Sequence, residues 1–456
     1  MAIVEEIGQG VGGSGYIWSS LDELLQSLVK LSKDLALPDT LVSGFMKEVD
    51  ELGLEPYKIK SLQIVKEMVP KIKEVETDWG WEEVSTDNQI RILGNIIRLH
   101  GVDSWSSIEV CNSINDISPH LPSSLPLNLL PTLRPYFAPH PSLSSASRPL
   151  KTTTGGKDVN MDMHEIQPFK SAAGWGSHNI LRWCASKLTA DEVEKNLGLV
   201  LPPTLVMMDD YEPSWRETGA AVLESWAFKL DPAVLHRMGL DALLLKSLIH
   251  TLSLHPNPPV YKVLPITLHL IEYTNPPGRE RTELYGNIME KHFVQGWVYA
   301  PSGIEGKVVS IGLAEELIIM CDLLGPAIVR WLKSIIPHLL DPIQYPPTPP
   351  IIPHYKSNLT ALLHLIRTIR ATGRLARWRG QVLDILSRLW VQCQERKGIE
   401  DTEEEVIEAM LKPLEELVKE LFKEIALQIP SVIEVEYPQL LSLSTTMFKD
   451  LIAAST

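Results

Sequence analysis

The stretch NLTALLHLIRTIRATGRLARWRGQVLDILSRLWVQC, residues 358–393, predicts two amphipathic helices separated by a short break at Thr372-Gly373. In each helix the apolar residues recur at the three-and-four spacing that places side chains on one face. They are Leu359, Leu362, Leu363, Ile366 and Ile369 in the first helix, and Val382, Leu386, Leu389 and Cys393, with Trp390 beside them, in the second. Neither helix can bury its stripe alone, so the hairpin favours an all-α, HEAT/ARM-like α-solenoid of stacked helical hairpins.

The composition is that of a folded, acidic protein. The chain has 456 residues, an apolar fraction of 44% and a formal charge of −15. This charge disfavours nucleic-acid binding, because such binding needs a basic face that displaces counterions from phosphates. No apolar run approaches the roughly 18–20 residues that span a bilayer. We therefore expect protein partners, no nucleic acid and no membrane, and a cytoplasmic and nuclear location, since no signal peptide or cysteine pairing pattern is evident.

The order of helical and proline-rich segments predicts how the chain is divided. We expect a flexible N-terminus over residues 1–17, an N-terminal helical region over 18–117, a partly packed Pro/Ser-rich linker over 118–170 and a HEAT-like array over 171–456. Within the first region, helices are expected from Ser20 and over about 40–52, 57–75 and 87–100.

A weak repeat is visible in the second half of the chain. Candidate helix starts recur at roughly 44–53 residues, close to the length of a HEAT-type pair. These starts lie near Ser214, Pro258, Ile311, Ser357 and Thr402. In the last helical segment, Pro413 is expected to split the helix, because proline lacks an amide donor and clashes with the preceding turn.

Two motifs that suggest catalysis are better explained as structure. Residues 8–13 match GxGxxG, but a dinucleotide loop needs a parallel strand before it and an acid on a second strand, and helices follow here. Asp209, Asp210 and Glu212 could hold magnesium in an all-α diphosphate enzyme, yet Pro213 interrupts the required helical spacing. Acids before a helix also favour its positive N-terminal end. The histidines form no HExxH and no nucleophile elbow, and we expect most of them to be surface or cap residues. We therefore expect no catalytic residue, metal ligand or cofactor.

Arginines cluster around the central break of the hairpin, which is unusual in so acidic a chain. Because arginine and tryptophan are over-represented at interface hot spots, this cluster is a candidate partner-binding site. Its members are Arg367, Arg370, Arg374, Arg377, Trp378 and Arg379. The alternative is a solvated or internally paired face, because five acids of the next repeat could lie opposite: Glu400, Asp401, Glu403, Glu404 and Glu405. RNA binding is a remote third interpretation.

Four segments, in this order, resemble the Tel-two-interacting protein two family, the small subunit of the triple-T (TTT) co-chaperone complex. They are MMDDYEPSWRETGAAVLESW (207–226), HRMGLDALLLKSLIHTLSLHP (236–256), WLKSIIPHLLDP (331–342) and LARWRGQVLDILSRLW (375–390). The residues that carry the resemblance include Asp209, Asp210, Tyr211, Gly239, Leu240, Trp378 and Trp390. Residues 1–170 show no motif of this family.

The resemblance implies a non-enzymatic scaffold that works with two larger α-solenoid subunits. Together these proteins help the ninety-kilodalton heat-shock chaperone to mature and stabilise phosphatidylinositol-3-kinase-related kinases (PIKK), mTOR and ATM among them. Two alternatives stay open from the residues alone. The first is another α-solenoid adaptor, such as a transport receptor or phosphatase scaffold, and the more remote one is the magnesium-dependent diphosphate enzyme.

Overall fold

The computed structural model describes residues 20–38, 41, 51–137, 168–255, 260–301, 303–397 and 404–454. Across these ranges the chain forms helices and no strand, which confirms the all-α prediction. The α-helices are α1 (Leu21–Asp34), α2 (Glu51–Glu74), α3 (Thr86–Ile97), α4 (Ile108–Ile117), α5 (Leu125–Leu129), α6 (Ser177–Lys187), α7 (Ala190–Lys195), α8 (Leu197–Met208), α9 (Pro213–Ala227), α10 (Pro232–Arg237), α11 (Leu240–Ser253), α12 (Val263–Thr274), α13 (Arg279–Ile288), α14 (Gln295–Tyr299), α15 (Ile304–Leu324), α16 (Leu332–Leu340), α17 (Ile352–Thr368), α18 (Arg379–Lys397), α19 (Glu404–Gln428), α20 (Ser431–Glu434), α21 (Glu436–Leu443) and α22 (Thr445–Ala453).

The two amphipathic helices predicted within residues 358–393 are confirmed. They are α17 and α18, and every apolar residue of the two predicted stripes is buried. Two 3₁₀ turns, Arg370–Thr372 and Arg374–Arg377, separate the helices. Between these turns Gly373 has a φ of +64°, a left-handed conformation that glycine adopts without strain. Helix α17 packs against α15 and α19, and α18 packs against α19, whereas α17 and α18 have little contact with each other.

The first helical region agrees with its predicted pattern where the structure describes it. Ser20 is the N-cap of α1, and its hydroxyl accepts a hydrogen bond from the Glu23 amide at 3.4 Å. Helix α2 begins before the expected residue 57, and α3 matches the expected helix at 87–100 to within a few residues. Most of the helix expected at 40–52 lies outside the described residues.

Two expectations about helix boundaries are wrong. Pro413 lies inside the continuous helix α19 and does not split it. The apolar face of α19 is fully buried on both sides of the proline, at Leu411 and Leu414, and this packing offsets the loss of one backbone hydrogen bond. Ile311 and Ser357 are interior positions of α15 and α17 rather than helix starts.

The first half of the proline-rich segment is packed, as expected. It forms α5 and a 3₁₀ turn at Leu130–Tyr136, and the side chains of Leu129, Leu133 and Phe137 are buried. The glycine-rich residues 8–13 and the stretch 142–163 lie outside the described residues. The chain forms two compact units, one of residues 1–206 with 221–230 and the other of 207–220 with 231–456. The predicted boundaries at 17, 117 and 170 stay predictions.

Candidate functional site

Three arginines of the predicted binding cluster are held by acids of the helices that follow. Arg367 forms a hydrogen-bonded ion pair with Glu420, and its Nε lies 3.8 Å from Glu424 Oε2. Arg370 Nη2 lies 3.3 Å from Glu424 Oε1, and Glu424 is itself buried. Both acids are on α19, so these ion pairs join the end of α17 and the turn after it to α19.

The third paired arginine is Arg379, at the first residue of α18. Its Nε lies 2.9 Å from Glu436 Oε1, where α21 begins. Like the ion pairs with α19, this ion pair provides the guanidinium with an acidic partner from within the chain. The internal alternative is therefore correct for these three arginines, although their partners are not the five acids that the sequence suggested. Of those five, Glu400, Asp401 and Glu403 lie outside the described residues, as do the side chains of Glu404 and Glu405.

Arg374 and Arg377 differ from the rest of the cluster. Both side chains are exposed, and neither makes an ion pair or hydrogen bond with a side chain that the structure describes. They belong to one 3₁₀ turn, whose Leu375 is only 1% exposed and fixes the turn to the core. Trp378 follows directly and is half-buried. We call Arg374, Arg377 and Trp378 the arginine corner.

The Asp-Asp-Tyr motif organises the start of α9. Asp210 is buried, and its Oδ1 accepts a hydrogen bond from the Glu212 amide at 2.9 Å. Asp209 Oδ1 accepts a hydrogen bond from the Ser247 hydroxyl at 3.0 Å, which links the motif to α11. Tyr211 is 78% exposed. The two carboxylates thus have structural partners, as the helix-entrance interpretation predicts.

Arg216, on the first turn of α9, is a buried cation that no pattern in the sequence singles out. It is 5% exposed, and its Nη2 donates to the Tyr211 carbonyl at 3.1 Å. Burial lowers the pKa of Arg216, while the nearby Asp210 carboxylate acts in the opposite direction. The motif therefore supplies both a backbone acceptor and a compensating charge for this guanidinium.

Gly219, on α9, lies against the last residue of α8. A Cβ at this position would lie 2.7 Å from the Met208 nitrogen and 2.8 Å from Met208 Cγ. Real side chains do not approach backbone atoms so closely, so any larger residue must displace the chain. This contact explains why glycine occupies position 219 of the motif.

We expect Gly219→Ala to lower the free energy of unfolding by about 1–3 kcal/mol, because overpacking forces the backbone to shift. The matched control is Gly286→Ala on α13, where the added Cβ would meet only Trp331 Cζ2 at an ordinary 3.7 Å. This control is expected to be neutral or slightly stabilising, since alanine is the better helix former. Urea unfolding followed by circular dichroism measures both. Equal stability of the two variants would contradict the packing argument.

The remaining family-motif residues also hold the fold. Gly239 has a φ of +66° and precedes α11, whose first residue, Leu240, is buried. Trp390 is buried on α18, and its Nε1 donates to the Met447 carbonyl at 2.8 Å. Lys419 Nζ lies 5.3 Å from the centre of the Trp390 ring, within the range of a cation–π contact.

Sequence reasoning missed a buried polar network, because the histidines were expected to be mostly surface or cap residues. His292 lies in a π-helical turn at Met289–Val294, and its Nε2 lies 2.6 Å from Glu316 Oε2 on α15. Its Nδ1 donates to the Leu252 carbonyl at 3.0 Å. Both ring nitrogens therefore have hydrogen-bonding partners inside the core, as a buried imidazole requires. A signal in the sequence was Glu316 itself, an acid among the apolar residues of α15.

The described residues offer no arrangement suited to a metal ion or a membrane. No group of three or more histidine, cysteine or acidic side chains is placed to hold a metal within the described ranges. In the same part of the chain, no helix is both long and apolar enough to cross a bilayer. All four cysteines are free thiols, as expected.

Comparison with known proteins gives one match. A model of the Tti2 family matches residues 89–350, which is more than half of the chain. The match covers the Asp-Asp-Tyr motif, Gly219 and the His292–Glu316 pair, and it ends before the arginine corner. No curated protein and no solved structure matches the chain.

Proposed function

Since the chain belongs to the Tti2 family, we propose that it supports the chaperone-dependent maturation and stability of phosphatidylinositol-3-kinase-related kinases, mTOR, ATM and their relatives. Membership of this family implies a role as a subunit of the TTT complex. The Tti2 family is a family of non-catalytic co-chaperone scaffolds. In the proposed role the chain binds two larger α-solenoid subunits and acts through them on the ninety-kilodalton heat-shock chaperone.

The observation that carries this proposal is the family match over residues 89–350. The geometry is consistent with it, because the Asp-Asp-Tyr motif and the His292–Glu316 pair form hydrogen bonds within the fold. Asp209 and Asp210 accept hydrogen bonds from Ser247 and from the Glu212 amide, and His292 is paired with Glu316. Groups held in this way stabilise helices and their packing, which is what a scaffold needs.

We also propose that residues 171–456 form a HEAT-like array and that the protein works in both cytoplasm and nucleus. The packing of α17 against α15 and α19 supports the proposed array, because every second helix then packs against the next, as the equivalent helices of neighbouring repeats do. The second point follows from the proposed partners. Microscopy of the tagged chain in living cells tests the location, and an exclusively extracellular or organellar signal would reject it.

Mixing the purified chain with the two larger subunits tests the proposed function directly. We expect a single complex on size-exclusion chromatography at micromolar concentration. Rapid depletion of the chain in cells should then lower the steady-state amounts of the kinases while their messenger RNAs stay constant. Separate elution of the purified proteins, or unchanged kinase amounts after depletion, would reject the assignment.

A further inference from the structure

We propose that the arginine corner docks a carboxylate-rich segment of one of the larger subunits. This inference rests on the proposed function and adds to it the place of contact and the chemistry of the partner. It narrows the binding cluster suggested by the sequence from six residues to three: Arg374, Arg377 and Trp378.

Arg374 and Arg377 differ from the other arginines of the cluster because they form no ion pair with a described side chain. Arg367, Arg370 and Arg379 already contact Glu420, Glu424 and Glu436, so a partner would have to break existing ion pairs to bind them. Arg374 and Arg377 are exposed and have no such pair among the described side chains. A carboxylate can reach both without displacing any acid that the structure places there.

The corner is also held in place for binding. Leu375, between the two arginines, is almost fully buried, and Trp378 donates its amide to the Leu375 carbonyl at 2.8 Å. Because the backbone is already fixed, binding has to order only the two long side chains and not the turn itself. Each guanidinium presents a planar fork of donors that matches a carboxylate with two parallel hydrogen bonds.

The charge of the whole chain restricts where an acidic segment can bind. With a formal charge of −15, the chain as a whole repels an acidic partner at low salt. At physiological ionic strength, charges farther apart than about 8 Å are largely screened, so local contacts decide the binding position. A nucleic acid also carries negative charge, but its high charge density requires a broad basic face. Two exposed arginines fit a short run of Asp and Glu better.

The experiment compares two charge-reversed variants in complex formation with the purified larger subunits. The test variant is R374E/R377E. The control is R279E/R388E, which makes the same change in formal charge at exposed arginines that are paired with Glu283 and Asp384 on their own helices. R374Q/R377Q, which neutralises without reversing charge, serves as a second test variant. Thermal melting of each isolated chain checks folding.

We expect the affinity of R374E/R377E for the larger subunits to fall about tenfold at about 0.05 M salt, with a smaller loss for R374Q/R377Q. The control should stay within about threefold of the original chain. Raising the salt concentration should lower the affinity of the original chain for the larger subunits more than that of R374E/R377E. Salt screens the ion pairs of the two arginines, and the variant cannot form them.

Each other outcome overturns the inference. If the original chain binds the subunits and R374E/R377E binds equally well, the contact is elsewhere while the proposed function stands. If R374E/R377E alone melts at a lower temperature than the control, the two arginines are paired within the chain. If a single-stranded RNA oligonucleotide binds the original chain and not R374E/R377E, the corner binds phosphate. If the original chain fails to bind the subunits, both the function and the inference fall.

Discussion

Replacing Trp226 by alanine is expected to lower the free energy of unfolding by about 3–5 kcal/mol. Trp226 is the largest of the fully buried side chains, at 0% exposure on α9. Its Nε1 donates to the Thr204 hydroxyl at 3.2 Å, and that hydroxyl donates to the Val200 carbonyl at 2.6 Å. The substitution removes apolar contacts, leaves a cavity and deprives a buried hydroxyl of one partner. Urea unfolding followed by circular dichroism measures the change in the free energy of unfolding.

Two further variants show how much of this effect comes from the hydrogen bond and how much from burial of the ring. Trp226→Phe retains an aromatic ring and loses the hydrogen bond, so it should cost about 1–2 kcal/mol. Tyr211→Ala removes an aromatic side chain that is 78% exposed, and it should change stability by less than about 0.5 kcal/mol. A loss for Trp226→Ala no larger than that for Tyr211→Ala would show that Trp226 is not part of a packed core.

Replacing Glu316 by alanine is expected to lower the free energy of unfolding by about 1–3 kcal/mol, because it leaves the buried His292 Nε2 without a hydrogen-bonding partner. Glu316 and His292 are both less than 10% exposed, and their side chains meet at 2.6 Å. Through the Leu252 carbonyl the same imidazole also contacts the end of α11. Removal of the Glu316 carboxylate therefore weakens the packing of α11, the π-helical turn and α15, which belong to one compact unit.

A double-mutant cycle isolates the pair from the general effect of truncating buried side chains. Glu316→Ala, His292→Ala and the double variant are each unfolded in urea. We expect a coupling energy of about 1–3 kcal/mol, since the two groups are in direct contact. Additive losses would contradict a direct interaction. Glu316→Gln, which keeps an acceptor but no charge, should lie between the original chain and Glu316→Ala.

The candidate site was only partly predictable from the sequence. The local pattern indicated an arginine-rich break, with partner binding and internal pairing as competing interpretations, and the structure shows internal pairing for Arg367, Arg370 and Arg379. The sequence could not indicate that Arg367 pairs with Glu420, because 53 residues separate the two. That pairing depends on how α17 and α19 are aligned when they pack, and helical periodicity carries no such information. The docking role of the remaining two arginines stays a proposal.

The histidines illustrate the same limit. Burial of an isolated polar residue is disfavoured unless a partner is present, so a surface position was the reasonable expectation for His292. Its partners, Glu316 and the Leu252 carbonyl, come from other helices and meet it only in the packed structure.

The sequence by itself determined the helical class, the buried face of α17 and α18, and the turn at Gly373. These properties follow from local spacing and from the conformational freedom of single residues, which a chain carries before it folds. Only the tertiary structure decided that α19 continues through Pro413, that Gly219 meets the Met208 backbone, and which arginines have acidic partners. Each of these depends on the packing of distant segments, whose free energy exceeds the local preferences of the residues concerned.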